Sequence, residues 1–425
     1  MRSSLLDGAY PSAGTTEGHQ TLLDTLRDAI AAGRRLALIF IHLERFSVVN
    51  DTLGLTAGDA VLAAMLQRLR AALAPGDRLA WFGEDKFAVL HIGQDEDRLA
   101  GRLLDLVGHP LVFFGHAVDL GASIGIATYP ESALTPETLV RQADFALHDA
   151  KRAGRGHRRR FHPALAHAAS EKLALEEDLR TATHRNQFRL FFQPQISAAN
   201  GRLCGFEALM RWPHPVRGEV PPSSFIPLAE ELGLIVPMGE WVLREACAAA
   251  LRWPDLRVAV NVSFRQFADG TRLLAAVREA LAVSGLPPTR LELEITESGL
   301  LHNGEEVRSV LAALQRLGVQ ISMDDFGTGY ASLSQLLSFP FDKIKIDKCF
   351  VADIEHSRAS AAVVRSVVML ARGLGIRSTA EGVETEAQAR LLTEAGCGEL
   401  QGYLYGKAMP AEAADQLVRS ELGLI

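Results

Sequence analysis

The sequence predicts an α+β domain followed by an α/β domain of the (β/α)8-barrel class. Three observations carry this. The chain has 425 residues, and with typical domains of ~150 residues, one to three domains are expected. Up to about residue 153, strand-like and helix-like patterns mix without a repeat. Beyond residue 186, eight short apolar runs each end in a polar or acidic residue, and most are followed by a helical stretch. Strands alternating with helices in this way suit a barrel.

Composition narrows the function classes. The chain is 48% hydrophobic and 22% charged, a globular balance outside the disordered range. Its apolar stretches, such as residues 36–43, stop short of the ~18–20 residues a spanning helix needs. The first thirty residues hold no apolar core behind a basic start, so no secretory signal is visible. A net charge of −7 argues against a general grip on nucleic acid. Acids exceed bases by one up to Arg160 and by six beyond it. The four cysteines are scattered, which suits the reducing cytoplasm and forms no zinc motif.

Residues 1–20 read as a loose terminus, and residues 21–160 as the first domain. Within it, 36–43 reads as a buried strand and 61–73 as a helix. Runs 79–82 and 87–92 flank the turn Gly83-Glu84-Asp85-Lys86 as a hairpin, followed by a strand at 122–129 and a helix at 135–152. Residues 154–160, with the basic run Arg158-Arg159-Arg160, read as a solvated linker. Residues 161–185 read as a helix leading into the second domain, 186–425. The eight runs there are 187–195, 203–211, 256–263, 291–297, 319–325, 343–347, 376–384 and 398–406.

Barrel active sites lie at the C-terminal ends of strands. The residues ending these runs are Glu207, Asn261, Glu294, Asp324 with Asp325, Lys345, Glu381 and Gln401. Converging carboxylates raise one another's pKa unless cations sit between them. Oxygen ligands of this kind suit Mg²⁺ or Mn²⁺. A metal pair with a nearby lysine suits in-line attack at phosphorus, so the chemistry points to phosphodiester or phosphomonoester hydrolysis.

The second domain resembles the bacterial EAL family. The resemblance rests on Phe206-Glu-Ala-Leu-Met-Arg-Trp212, Glu294-Ile-Thr-Glu297, Asp324-Asp-Phe-Gly-Thr-Gly-Tyr330, Lys345-Ile-Asp347, Glu381-Gly-Val-Glu384 and Gln401-Gly-Tyr403. It implies a modified TIM barrel that hydrolyses cyclic di-GMP to linear pGpG. It also implies Glu207, Asn261, Glu294 and Asp324 as ligands of one metal and Asp324, Asp325 and Glu381 as ligands of a second. Lys345 would position the attacking water. Gln193, Leu209, Arg211 and Gln401 would contact substrate, and Glu297 would anchor the loop from Phe326 to Ser332. Asp347 and Glu384 would support the ligands from behind. Pairing of two barrels into a homodimer is implied as well.

The first domain resembles the GGDEF family, which condenses GTP into cyclic di-GMP. The resemblance rests on Phe46-Ser-Val-Val-Asn-Asp51, Gly58-Asp59, the Gly83–Phe87 hairpin, Ser123-Ile-Gly-Ile-Ala-Thr-Tyr-Pro130 and the stretch from Ala143 to Arg155. The departures are informative. Glu84 stands in place of the second glycine, Lys86 in place of an acid, and His42 in place of a metal-binding aspartate. Ala74 stands where the family's product-inhibition site has arginine, ahead of Asp77. The resemblance therefore implies a nucleotidyl-cyclase-like fold without cyclase activity. Asn50, Asp59, Asp85, Lys151 and Arg155 remain as possible GTP contacts that regulate the barrel. The rival readings are a non-hydrolysing cyclic di-GMP receptor and a cyclase.

Overall fold

The apolar run at residues 36–43 forms strand β1 (Leu36–Glu44), whose alternate side chains feed two separate cores. The computed structural model describes residues 19–83, 85–113, 116–154, 156–296, 304–327 and 339–422. The chain divides into two units, Met1–Ala174 and Leu175–Ile425. Among the described residues, no helix is long and apolar enough to cross a membrane.

In the first unit, β1 is flanked by helices α1 (His19–Ala31), α2 (Phe46–Leu53) and α3 (Leu55–Ala71) in sequence. There follow β2 (Arg78–Trp81), β3 (Lys86–His91), α4 (Glu96–Gly108), the small hairpin β4 (Leu111–Phe113) and β5 (His116–Val118), β6 (Gly121–Tyr129), α5 (Pro136–Arg152) and β7 (Arg158–Arg160). The main sheet runs β2-β3-β1-β6-β7. Side chains alternate across a strand. Ala37, Ile39, Ile41 and Leu43 therefore meet α3 and α4 through Val61, Met65, Leu99 and Leu103, while Leu36, Leu38 and Phe40 meet α1 and α5 through Leu22, Leu26, Leu139 and Leu147. Helix α5 lies so close to β6 that a Cβ on Gly125 would stand 2.2 Å from Leu147 N and 2.3 Å from Ala143 O.

The linker expected at 154–160 is corrected. Its three arginines form β7, which pairs in parallel with Ile124–Ile126 of β6. All three are exposed, which hides the strand from a search for apolar alternation and suits a sheet edge that must not recruit another strand. Arg160 is tied to Glu96 and Asp97 at 2.7 Å each.

Helix α6 (Pro163–His184) follows. In the second unit every one of the eight apolar runs contains a strand. They are β8 (Arg189–Ser197), β9 (Leu203–His214), β11 (Arg257–Asn261), β12 (Leu291–Thr296), β13 (Gln320–Phe326), β14 (Lys343–Ile346), β15 (Arg377–Ala380) and β16 (Glu399–Gln401). Two short strands, β10 (Gly218–Val220) and β17 (Met409–Pro410), append to β9 and β8. Pairing of β8 with both β9 and β16 closes the barrel. Strand β8 is antiparallel to both neighbours, whereas β9 and β11 to β16 run parallel. The cause is chain length: five residues join β8 to β9, and a parallel crossover needs about a dozen.

The barrel's apolar side chains point outward. Leu291, Leu293, Ile295, Ile321, Met323, Ile344 and Ile346 join the core beneath the surrounding helices. The inward positions are polar and buried: Glu292 and Glu294, Ser322 and Asp324, Lys343 and Lys345, Glu399 and Gln401. Gly125→Val is expected to destabilise the first unit by about 3 kcal/mol, because α5 must move to admit the side chain. Denaturant unfolding of the chain checks this, and a loss under about 0.5 kcal/mol would contradict the close packing.

Candidate metal centre

Lys345 is 1% exposed and has four carboxylates around its ammonium. Its Nζ lies 2.5 Å from Glu381 Oε1, 2.7 Å from Glu294 Oε2, 3.2 Å from Asp324 Oδ1 and 3.9 Å from Glu207 Oε2. Glu294, Asp324 and Glu381 come from near the C-terminal ends of β12, β13 and β15, whereas Glu207 stands in the middle of the long β9. Asn261 Nδ2 and Gln401 Nε2 donate to the two oxygens of Glu207 at 2.7 and 2.6 Å. Gln401 also donates to Gln193 at 3.2 Å and accepts from the buried Gln195 at 3.0 Å.

Neighbouring residues of a regular strand face opposite sides, yet Asp324 and Asp325 both reach this site. The register between β13 and β14 explains it. Met323 pairs with Ile344 and Phe326 with Ile346, three steps on one strand against two on the other. This bulge is accompanied by Asp325 in the left-handed region at φ 55°, with its N–H donating to Asp324 Oδ1 at 2.9 Å. Carboxylate oxygens of Asp324, Asp325 and Glu381 thereby lie within 4.8 Å of one another. Two glycines let the Glu381 loop pack down. A Cβ on Gly382 (φ +68°) would meet Lys348 Cβ at 2.5 Å, and one on Gly402 would meet Val383 O at 2.1 Å.

The electrostatics are those of a site short of positive charge. Burial opposes the charge of Lys345, but Asp324, Glu207, Glu294 and Glu381 outweigh it and hold the ammonium well above the usual lysine range. Burial likewise opposes the charge of Glu207, yet Lys345 and the amides of Gln401 and Asn261 keep it ionised below the usual range. Glu294 is pushed well above that range by burial and by Glu207. Burial raises Glu381 to about 8 against the pull of Lys345. Burial, Asp324 and Asp347 raise Asp325. One ammonium cannot balance five clustered carboxylates, and Glu294 Oε1 is buried with no hydrogen-bond partner among the described residues. Hard, all-oxygen donors in this state fit a divalent cation such as Mg²⁺ or Mn²⁺.

A cavity of about 520 Å³ adjoins Asn261 and is lined by Leu209, Arg211, Glu230, Phe264 and Thr296 among others. Asp347 caps the helix that begins at Lys348, accepting from Cys349 N at 2.9 Å. Glu384 is exposed, its backbone N–H donating to Gln388 Oε1 at 2.8 Å. Glu297 and residues 328–332 of the loop lie outside the described residues.

Sequence reasoning missed a second charged layer in the barrel. Lys343 is wholly buried and pairs with Glu292 at 2.6 Å and Glu399 at 2.8 Å. Arg377 meets Glu399 at 2.8 Å and Glu292 at 3.3 Å; Arg257 also pairs with Glu399. The available signal was spacing: Glu292, Lys343 and Glu399 each precede a site residue by two positions on one strand.

In the first unit, Asp85 Oδ2 sits 3.2 Å from His42 Nε2. Burial lowers the His42 pKa despite the pull of Asp85. Lys86 is held by Asp144 at 2.5 Å and lies 4.0 Å from the Phe40 ring centroid. Asn50 Oδ1 packs against Gly58, where a Cβ would stand 1.8 Å away. Lys151 is exposed, and partial burial still lowers its pKa, partly offset by Asp85. Asp77 is engaged by His91 Nδ1 at 2.9 Å. Glu84 and Arg155 lie outside the described residues.

Comparison with known proteins adds to this geometry. Residues 176–408 match the family model "EAL domain", and residues 18–157 match "Diguanylate cyclase, GGDEF domain". An "Uncharacterized signaling protein" of Caulobacter vibrioides is 46% identical over 90% of this chain and 48% of its own length. The "Bifunctional diguanylate cyclase/cyclic di-GMP phosphodiesterase MucR" of Pseudomonas aeruginosa is 42% identical over 92% of this chain and 58% of its own. The chain thus spans about half the length of these relatives. A solved structure described as "PaMucR Phosphodiesterase, c-di-GMP complex" is 46% identical and aligns with a TM-score of 0.55 over 57% of this chain and 99% of that one.

The raised pKa of Glu381 generates a pH test. Below about 8 the carboxyl holds a proton that a cation must displace. Mn²⁺ affinity of the chain should therefore rise with pH from 6 to 8 and flatten above. Titration calorimetry across that range checks it, and a flat profile would contradict the charge assignment.

Proposed function

Because the chain belongs to the EAL-domain family, with a GGDEF domain ahead of the EAL domain, we propose that its barrel is a cytoplasmic phosphodiesterase that opens cyclic di-GMP to linear pGpG with two divalent cations. The observation that carries this reading is the ring of carboxylates around buried Lys345 at the barrel's C-terminal end. Glu207, Asn261, Glu294 and Asp324 would hold one cation, and Asp324, Asp325 and Glu381 the other. Bound there, Mg²⁺ or Mn²⁺ supplies Lewis acidity toward a phosphoryl oxygen and toward water.

The chain's own residues do the rest. Lys345 hydrogen-bonds and aims the attacking water and offsets charge on the phosphoryl oxygen. Arg211 meets a phosphate and, with Leu209, lines the adjoining cavity, while Gln193 and Gln401 contact the dinucleotide as well. The water oxygen forms a bond to phosphorus as the P–O3′ bond breaks. The departing 3′ oxygen keeps the bonding electrons and takes up a proton, leaving a 5′-phosphorylated linear product. Glu297 anchors the loop beside the site, Asp347 and Glu384 support its geometry, and two barrels pair as a homodimer.

The first unit is a regulator without cyclase activity in this reading. Its support is that Asp85 is engaged by His42 and that Lys86 is engaged by Asp144. GTP would bind through Asn50, Asp59, Asp85, Lys151 and Arg155.

Incubating the chain with cyclic di-GMP and Mg²⁺ or Mn²⁺, then resolving the nucleotides, tests the assignment. Linear pGpG is expected; bound but unchanged cyclic di-GMP would favour the receptor reading. New cyclic di-GMP from GTP would overturn the regulatory one. Glu207→Ala or Asp324→Ala should abolish turnover, and Lys345→Ala should keep substrate binding while kcat falls about 10²–10³-fold.

Asp325→Asn separates shape from charge at the bulge. Asparagine tolerates the left-handed backbone, so the fold should persist while turnover is lost. Unchanged kcat in a folded Asp325→Asn variant would remove Asp325 from the ligand set.

A further inference from the structure

The second charged layer joins five ionic side chains from five strands of the barrel. Lys343, Arg257 and Arg377 face Glu292 and Glu399, three cations against two carboxylates, with Thr379 Oγ1 adding a hydrogen bond to Glu399 at 3.1 Å. Gln320 accepts from Arg377 in the same layer. Lys343, Glu292 and Glu399 are each under a tenth exposed. Burying such ions gives little net stability, and their best attested use is to specify one register over another.

The layer stands beside the bulge that interrupts the β13–β14 register, on a strand paired regularly with β15 on its other side. Strand β14 has four residues, and its regular pairing with β13 covers only Lys343 and Ile344 before the bulge interrupts it. A slip of one residue would turn Lys343 and Lys345 outward and bring Ile344 and Ile346 inside. Both lysines find carboxylates only in the observed register: Lys343 between Glu292 and Glu399, and Lys345 among Glu294, Asp324 and Glu381. Lys343 and Lys345 are two residues apart on the same strand, so fixing one fixes the height of the other.

We propose that Lys343, clamped by Glu292 and Glu399, is a positioning residue that sets the register of β14 and so holds Lys345 and its carboxylates in the arrangement that binds cations and supports turnover. The proposal rests on the phosphodiesterase reading for its kinetic consequence but not for its cation-binding one. Supporting groups behind metal ligands change affinity or activity by about 10–100-fold when removed.

The test compares the full chain with Lys343→Met, which keeps the unbranched stem and removes the charge, and with Lys343→Arg. Mn²⁺ binding is read by electron paramagnetic resonance without substrate, and kcat and KM for cyclic di-GMP are read separately. Lys343→Met should weaken Mn²⁺ binding and lower kcat by about tenfold or more, with KM within about threefold. Lys343→Arg should restore both toward wild type. A folded Lys343→Met variant with wild-type Mn²⁺ affinity and kcat would overturn the proposal, as would a loss that tracks only the fraction of folded protein. If Lys343→Met does not fold, Glu292→Gln serves instead, because it keeps the side-chain volume and removes one of the two carboxylates that clamp Lys343. It should shift Mn²⁺ affinity and kcat in the same direction, and no shift would equally overturn the proposal. If wild-type chain binds Mn²⁺ but leaves cyclic di-GMP intact, the phosphodiesterase reading fails while the Mn²⁺ arm still decides the positioning role.

Discussion

The barrel is organised around an ammonium that water cannot reach. Lys345 is buried among Glu207, Glu294, Asp324 and Glu381, with Asp325 beside them. In such a place an unpaired ion costs several kcal/mol, so lysine and carboxylates each require the other. Yet the carboxylates outnumber the lysine, and burial together with neighbouring charge raises the pKa of Glu294 and Glu381. A divalent cation would relieve this imbalance, and the phosphodiesterase reading rests on that relief.

That constraint shapes the surrounding fold. Inward positions of β12, β14 and β16 carry charges or amides in two layers, while the intervening residues supply the apolar contacts to the helices. The bulge in β13 breaks strict alternation at the one place where two adjacent carboxylates are needed together. Left-handed Asp325 is the local cost of that placement, and the tight seats of Gly382 and Gly402 bring Glu381 to the same point. The first unit meets a related problem differently. There His42 faces Asp85 and Lys86 faces Asp144, so side chains of the chain itself sit against its acids.

Much of the barrel was legible because its chemistry coincides with its punctuation. Asn261 and Gln401 end their strands and Glu294 stands near the end of its own, so strand ends and site residues were found together, while Glu207 lies within the longer β9. The antiparallel direction of β8 was not drawn from the pattern, although the short connection to β9 dictates it. Lys343, Glu292 and Glu399 escaped notice because a charged residue within a strand reads as solvent-facing until barrel closure puts it inside. Strand β7 was missed for the opposite reason: its arginines are exposed, and its pairing with β6 is a backbone property. Glu384 carried a motif position but is exposed, which periodicity alone does not reveal.

The most direct measurement of the central claim is anomalous scattering from crystals of this chain grown with Mn²⁺. The account predicts two peaks at the C-terminal end of the barrel, one against Glu207, Asn261, Glu294 and Asp324, the other against Asp324, Asp325 and Glu381. Crystals in saturating Mn²⁺ that show no peak beside Lys345, with its ammonium still the sole cation among the carboxylates, would contradict it.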